Sequence, residues 1–230
     1  MAVDDSYTKS LLHFDGADAS TTFTDESGKT WTRSGNTQID TAQYKFGGAS
    51  CFFDGSGDYL YSDGSSDFVF GTGDFTVDFW WRPDGALSTY MVLIDWRPSG
   101  TLSGNYPVLV FIPTASPHIV YQIGNTVSIT GTATISAGNW YHIAIARSGT
   151  STKLFINGNQ DGSTASDSTD YIVGANRPTL DNGYDTVANQ ELLAGWIDEL
   201  RISKGVARWI TNFTPPITPF GSGGQVIFFS

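Results

Sequence analysis

Acidic side chains are the groups on this chain most able to do chemistry. Of its 23 acids only Glu26, Glu191 and Glu199 are glutamates, and the other twenty are aspartates. Retaining glycoside hydrolysis needs two carboxylates about 5 Å apart, one nucleophile and one acid. The glutamates are dispersed along the sequence. Asp198 and Glu199 are adjacent, but they lie where apolar and charged residues alternate, which predicts opposite faces of a strand. Catalysis by paired carboxylates is therefore not expected. Asp is also a turn and calcium-ligand residue, so most of this acid belongs in loops. The stretch Asp54-x-Ser56-x-Asp58 has the oxygen spacing of a calcium loop. However, Tyr59 and Ser65 stand where such a loop needs Gly and Glu, and the stretch reads as a turn.

The three histidines, His13, His118 and His142, each lie in or beside a strand-like segment. No His-x-x-x-His pair and no second cysteine accompanies them, so zinc is not expected. Cys51 sits in an apolar run and reads as a buried, inert thiol. With a formal charge of −11 and no basic cluster, the chain has nothing to neutralise phosphates, which argues against nucleic acid as a partner. The Gly-rich stretches precede strands, not helices, so no phosphate loop is read.

Sugar binding would use an exposed ring flanked by Asp, Asn or Arg. The best combination is Tyr184 with Asp181 and Asp185, in Leu180-Asp181-Asn182-Gly183-Tyr184-Asp185. Trp96 and Tyr106 are further candidates, and Tyr90 and Trp209 also fall in loops. Trp31, Trp80, Trp81, Trp140 and Trp196 belong to strand patterns and read as structural.

These residues must be held by short strands. Phe75 to Trp81 is the cleanest, with Phe75, Val77, Phe79 and Trp81 on one face and Thr76, Asp78 and Trp80 on the other. Asn139 to Arg147 places Tyr141, Ile143 and Ile145 together, and Asn157-Gly158 predicts a tight turn with positive φ. Ala49 to Phe53 and Tyr59 to Tyr61, joined by a Gly-rich connection, read as a hairpin. Segments from Tyr90 to Thr130 predict a meander. About a dozen short strands at regular spacing point to an all-β sandwich or jelly roll. One domain is expected over residues 1–220, followed by a Gly/Ser spacer and an apolar end over 221–230. In that end Val226, Ile227, Phe228 and Phe229 form a strand-like run expected to pair or dock, within the chain or in an assembly. The N-terminus has neither a basic region nor an apolar core, so no secretory signal is expected. No apolar run reaches the length of a membrane span.

Several motifs occur in a familiar order. They begin with Leu11-Leu12-His13-Phe14-Asp15-Gly16, Asp25-Glu26-Ser27-Gly28 and Lys45-Phe46-Gly47-Gly48-Ala49-Ser50. Phe53-Asp54-Gly55-Ser56-Gly57-Asp58-Tyr59-Leu60, Gly73-Asp74-Phe75-Thr76-Val77 and Trp140-Tyr141-His142-Ile143-Ala144 follow. Phe155-Ile156-Asn157-Gly158 and Gly195-Trp196-Ile197-Asp198-Glu199-Leu200-Arg201-Ile202 through Arg208-Trp209 complete the set. This series resembles the laminin G-like, concanavalin A-like jelly-roll domains, over roughly residues 9–220. The resemblance implies a two-sheet antiparallel jelly-roll β-sandwich, and binding rather than catalysis. The glucanases among these folds carry Glu-x-Asp-x-x-Glu on one strand, and this chain has no such run. Domains with this wording are similar to proteins of tailed phages. That implies a virion-surface or tail adhesion module binding host cell-surface carbohydrate, or a structural virion protein (capsid decoration or tail component) contacting other virion proteins or its own copies. The resemblance also implies one structural calcium tying Asp25 of the early loop to Asp198 of the late strand.

Overall fold

The computed structural model describes residues 5–85, 87–181 and 193–221. In chain order its strands are β1 (Thr8–Leu12), β2 (Trp31–Ser34), β3 (Gln38–Asp40), β4 (Ser50–Asp54), β5 (Tyr59–Ser62), β6 (Phe75–Pro83), β7 (Met91–Asp95) and β8 (Pro107–Ile112). They continue with β9 (His118–Ile123), β10 (Thr126–Thr130), β11 (Tyr141–Ser148), β12 (Ser151–Ile156), β13 (Asn159–Ser166), β14 (Thr179–Leu180) and β15 (Ala194–Lys204). They build two antiparallel sheets packed as a sandwich. One runs β13-β12-β11-β6-β15-β4-β3, with β1 added to β15, and the other runs β10-β9-β8-β7-β14-β5-β2.

Alternation explains the packing. On β6, Phe75, Val77, Phe79 and Trp81 point between the sheets, where Ile143 and Ile145 of β11 and Ile197, Leu200 and Ile202 of β15 join them in the main core. Leu109, Phe111, Ile119 and Tyr121 close that core from the second sheet. The meander from β7 to β10 forms as expected, each strand pairing with the next. Asn157 and Gly158 turn β12 into β13 at φ 50 and 77, the left-handed pair such a hairpin needs.

One reading is corrected. β4 and β5 do not form a hairpin: β4 pairs with β3 and β15 in the first sheet, and β5 with β2 and β14 in the second. The Asp54–Asp58 connection therefore crosses between sheets. Its acids hold that crossing, with Asp58 Oδ2 accepting from the Asp54 amide at 2.9 Å and Asp54 Oδ1 from the Ser56 amide at 2.7 Å.

Candidate functional site

The outer face of the first sheet carries most of the polar chemistry. Arg201 of β15 and Asp78 of β6 form a forked ion pair, with Nε to Oδ1 at 3.1 Å and Nη2 to Oδ2 at 3.0 Å, both side chains fully buried. The fully buried His142 of β11 brings Nε2 to 3.4 Å from Asp78 Oδ2. Burial holds the His142 imidazole below its ordinary pKa, against the pull of Asp78. Asp78 stays below the usual carboxylate range despite its burial, because Arg201 and His142 favour its charge.

The chain after β15 straps over this cluster. Trp209 and Phe213 stack at 4.0 Å between ring centres, and His142 meets Trp80, Trp209, Phe213 and Phe220 edge-on. The Arg201 guanidinium lies 4.2 Å from the centre of the Phe220 ring. Gly158 is required under the strap. The Phe213 amide donates to the Gly158 carbonyl at 2.8 Å, and a Cβ on Gly158 would collide with the Phe213 carbonyl.

The closing strand departs from simple alternation. Between Asp198 and Arg201 the register of β15 on β6 shifts, and Glu199 stands at φ 55. Ile197 and Leu200 both remain in the core, so the extra residue turns Glu199 outward beside Asp198. The two acids thus reach the same outer cluster, not opposite faces. Asp198 Oδ2 accepts the amides of Lys45 and Phe46 at 2.7 and 3.0 Å, and Glu199 Oε2 accepts the Phe220 amide at 2.7 Å. Glu199 Oε1 lies 2.8 Å from His13 Nδ1. Burial pushes both carboxyls up, that of Asp198 well above the usual range, and their mutual repulsion and the charge of Asp15 add to it for Asp198. Both acids are nearly inaccessible, at 0% and 1% exposure. A substrate could not reach them as it would a glycosidase pair.

Asp25 and Asp198 are held separately. The Asp25 carboxylate accepts from the Ser10 hydroxyl, from Trp31 Nε1 at 3.0 Å, and from the Leu11 and Ser27 amides at 3.3 and 2.7 Å. With donor hydrogens aimed at both oxygens, Asp25 does not fit a cation. Asp198 differs. Its Oδ1 is buried without a hydrogen-bond partner among the described residues. Its acidic neighbour is Asp15, whose carboxylate a Cβ on Gly47 would strike, in the same 45–48 loop that caps Asp198. Among the described residues no three His, Cys, Asp or Glu side chains converge to hold a metal ion.

Three of the five sugar-binding candidates fall within the described residues. Trp96 is 1% exposed in the main core, with Nε1 donating to the Phe68 carbonyl at 3.2 Å, so it offers no platform. Tyr106 is partly buried against the same core. Asp181 is fully buried at the end of β14. Tyr184 and Asp185 lie outside the described residues, as do Val226, Ile227, Phe228 and Phe229. The tryptophans read as structural are so: Trp31, Trp80, Trp81 and Trp196 are buried, and Trp140 packs on the Leu11–Trp80–Phe220 cluster.

A groove does open on the outer face, where sequence reasoning named only Trp209. It measures about 250 Å³ and is lined by Ala146, Ser148, Ser151, Lys153, Trp209 and Ile210. Its signal in the sequence is the run of small residues Ala144, Ala146 and Ser148 at every second position of β11. Such a run leaves a trough between longer side chains.

The sequence and fold agree with one family model, described as the concanavalin A-like lectin/glucanases superfamily, over residues 54–208. The chain belongs to this superfamily. No curated protein sequence matches it. Among solved structures it is similar to domain 4 of AbnA, a GH43 extracellular arabinanase from Geobacillus stearothermophilus, solved with arabinotriose. The TM-score is 0.58 at 19% identity, covering 87% of this chain and 93% of that domain. It is also similar to the receptor binding domain of botulinum neurotoxin D, with a TM-score of 0.63 at 16% identity over 89% of this chain and 51% of that one. A third is botulinum neurotoxin type C, whose cell entry depends on two ganglioside molecules; there the TM-score is 0.60 at 16% identity, over 87% of this chain and 48% of that one. The superfamily member therefore spans nearly all of the arabinanase domain but only about half of each toxin chain. At these identities the likeness establishes the shared sandwich.

Proposed function

We propose that this superfamily member is a non-catalytic carbohydrate-binding module. The observation that carries the reading is the end-to-end match to a single domain held with arabinotriose, which covers 93% of that domain and so aligns module with module. Two features of the chain support it. The adjacent acids of the closing strand are buried and committed to the Lys45, Phe46 and Phe220 amides and to His13, which removes them from catalysis. The outer face also presents a mixed polar and apolar groove of the kind that holds small polar ligands. The finer placement, as an adhesion module on a phage tail or virion surface recognising a cell-surface glycan, rests on the motif wording of the sequence alone.

A structural calcium is a further part of this proposal. Asp198, whose Oδ1 has no hydrogen-bond partner among the described residues, is the carboxylate left to hold it, since the Asp25 oxygens are taken up by donors. When bound, the ion would neutralise acids that burial and mutual repulsion disfavour.

A glycan array spanning neutral, acidic and arabinose-containing oligosaccharides tests the function. Saturable binding to a defined subset is the expected result. No binding to any glycan would overturn the reading, and release of reducing sugar on incubation would replace it with an enzyme.

A further inference from the structure

We propose that the outer-face groove beside Trp209 is the ligand site, and that it takes a sugar ring bearing a carboxylate. This rests on the carbohydrate-binding reading above and adds the place and the ligand class.

The groove follows from side-chain size. On β11, Ala144, Ala146 and Ser148 face outward in succession, opposite Phe155, Lys153 and Ser151 of β12. Above Ala144 the stacked pair of Trp209 and Phe213 fills the trough. Beside that pair Ile210 is exposed, and among the described residues the groove over Ala146 and Ser148 is lined by no larger apolar side chain than Trp209 and Ile210. The resulting open groove, about 250 Å³, leaves room for a sugar ring.

Its chemistry is specific. Lys153 donates from Nζ to the Ile210 carbonyl at 2.6 Å, which fixes the ammonium at the rim and leaves two of its N–H groups to aim elsewhere. Ser148 and Ser151 are register partners at the end of the hairpin. Their hydroxyls enter no side-chain hydrogen bond among the described residues, so donors and acceptors are both on offer. Ala146, Ile210 and the Trp209 indole give the apolar surface that sugar C–H groups require. Among the described residues no carboxylate lines the groove, although the chain carries a formal charge of −11. A fixed cation, free hydroxyls and an absence of lining acids together favour an anionic substituent over a neutral ring.

The experiment compares galacturonate with galactose, two rings that differ at one carboxylate, by amide-detected NMR titration of the intact chain. Galacturonate is expected to bind about tenfold or more tightly than galactose, with shifts centred on Ser148, Ser151 and Lys153. Lys153→Gln should abolish that difference, and Ser151→Trp, at the exposed first position of β12, should block both sugars. Equal binding of the two sugars, or a preference that survives Lys153→Gln, overturns the ligand class. A glycan found on the array whose binding survives Ser151→Trp overturns the groove as the site while leaving the carbohydrate reading intact. Only failure to bind every glycan on the array would bring down both.

Discussion

Arg201 and Asp78 join the two central strands of the first sheet through a forked ion pair that water does not reach. Removing one partner leaves a buried charge without this counter-ion. Asp78→Ala is expected to cost about 3–5 kcal/mol, measured by urea unfolding. A loss below about 1 kcal/mol would show that the pair is not the junction described.

Glu199 and His13 make a second buried contact, whose pH dependence has a definite sign. Burial lowers the His13 pKa, but the Glu199 carboxylate outweighs it and the net value is raised. The raised His13 pKa therefore adds stability that is full below the unfolded value of about 6.5 and fades as pH rises through the higher folded value. His13→Gln should flatten the stability profile from about pH 6.5 upward. An unchanged slope would contradict the assignment.

Asp198 should be stabilised by losing its charge when no cation is present. Its carboxyl is pushed up by burial first and by Glu199 and Asp15 next, so its ionised form costs stability as pH rises past the unfolded value. Asp198→Asn keeps an acceptor for the Lys45 and Phe46 amides. It is expected to raise the melting temperature in EDTA and to lose any gain from added calcium that the wild type shows. A wild-type melting temperature unmoved by calcium would refute the ion.

Gly158 should be irreplaceable for two reasons at once. Its φ of 77 disfavours any side chain, and the strap's Phe213 carbonyl occupies the space a Cβ needs. Gly158→Ala should cost about 1 kcal/mol or more from conformation alone, and should also loosen the strap, read as faster amide exchange at Phe213. Protection unchanged at Phe213 would separate the turn from the strap.

Cys51 should be silent. It is fully buried, and burial raises its thiol pKa well above the ordinary value. A thiol reagent should label it only after denaturation; rapid labelling of the folded protein would contradict this placement.

The sequence by itself determined the all-β class and the strands with the clearest alternation, together with the faces these turn to the core. The period-two pattern of Phe75 to Trp81 and the Asn157-Gly158 turn each depend on neighbours within a few residues, so local chemistry suffices to read them. Tertiary structure decided everything that depends on register and crossing. A single extra residue at Glu199 turned two acids expected on opposite faces toward the same one, because a bulge has no signature in alternation. The β4–β5 connection crossed between sheets although its residues suit a hairpin just as well. Asp25 became a hydrogen-bond acceptor, and Trp96 a core residue, through partners that chain folding alone brings to them. The groove likewise needs Trp209 and Ile210 to arrive over β11 and β12, more than fifty positions away along the chain in the case of the Lys153–Ile210 bond, and no local pattern encodes where a strap will lie.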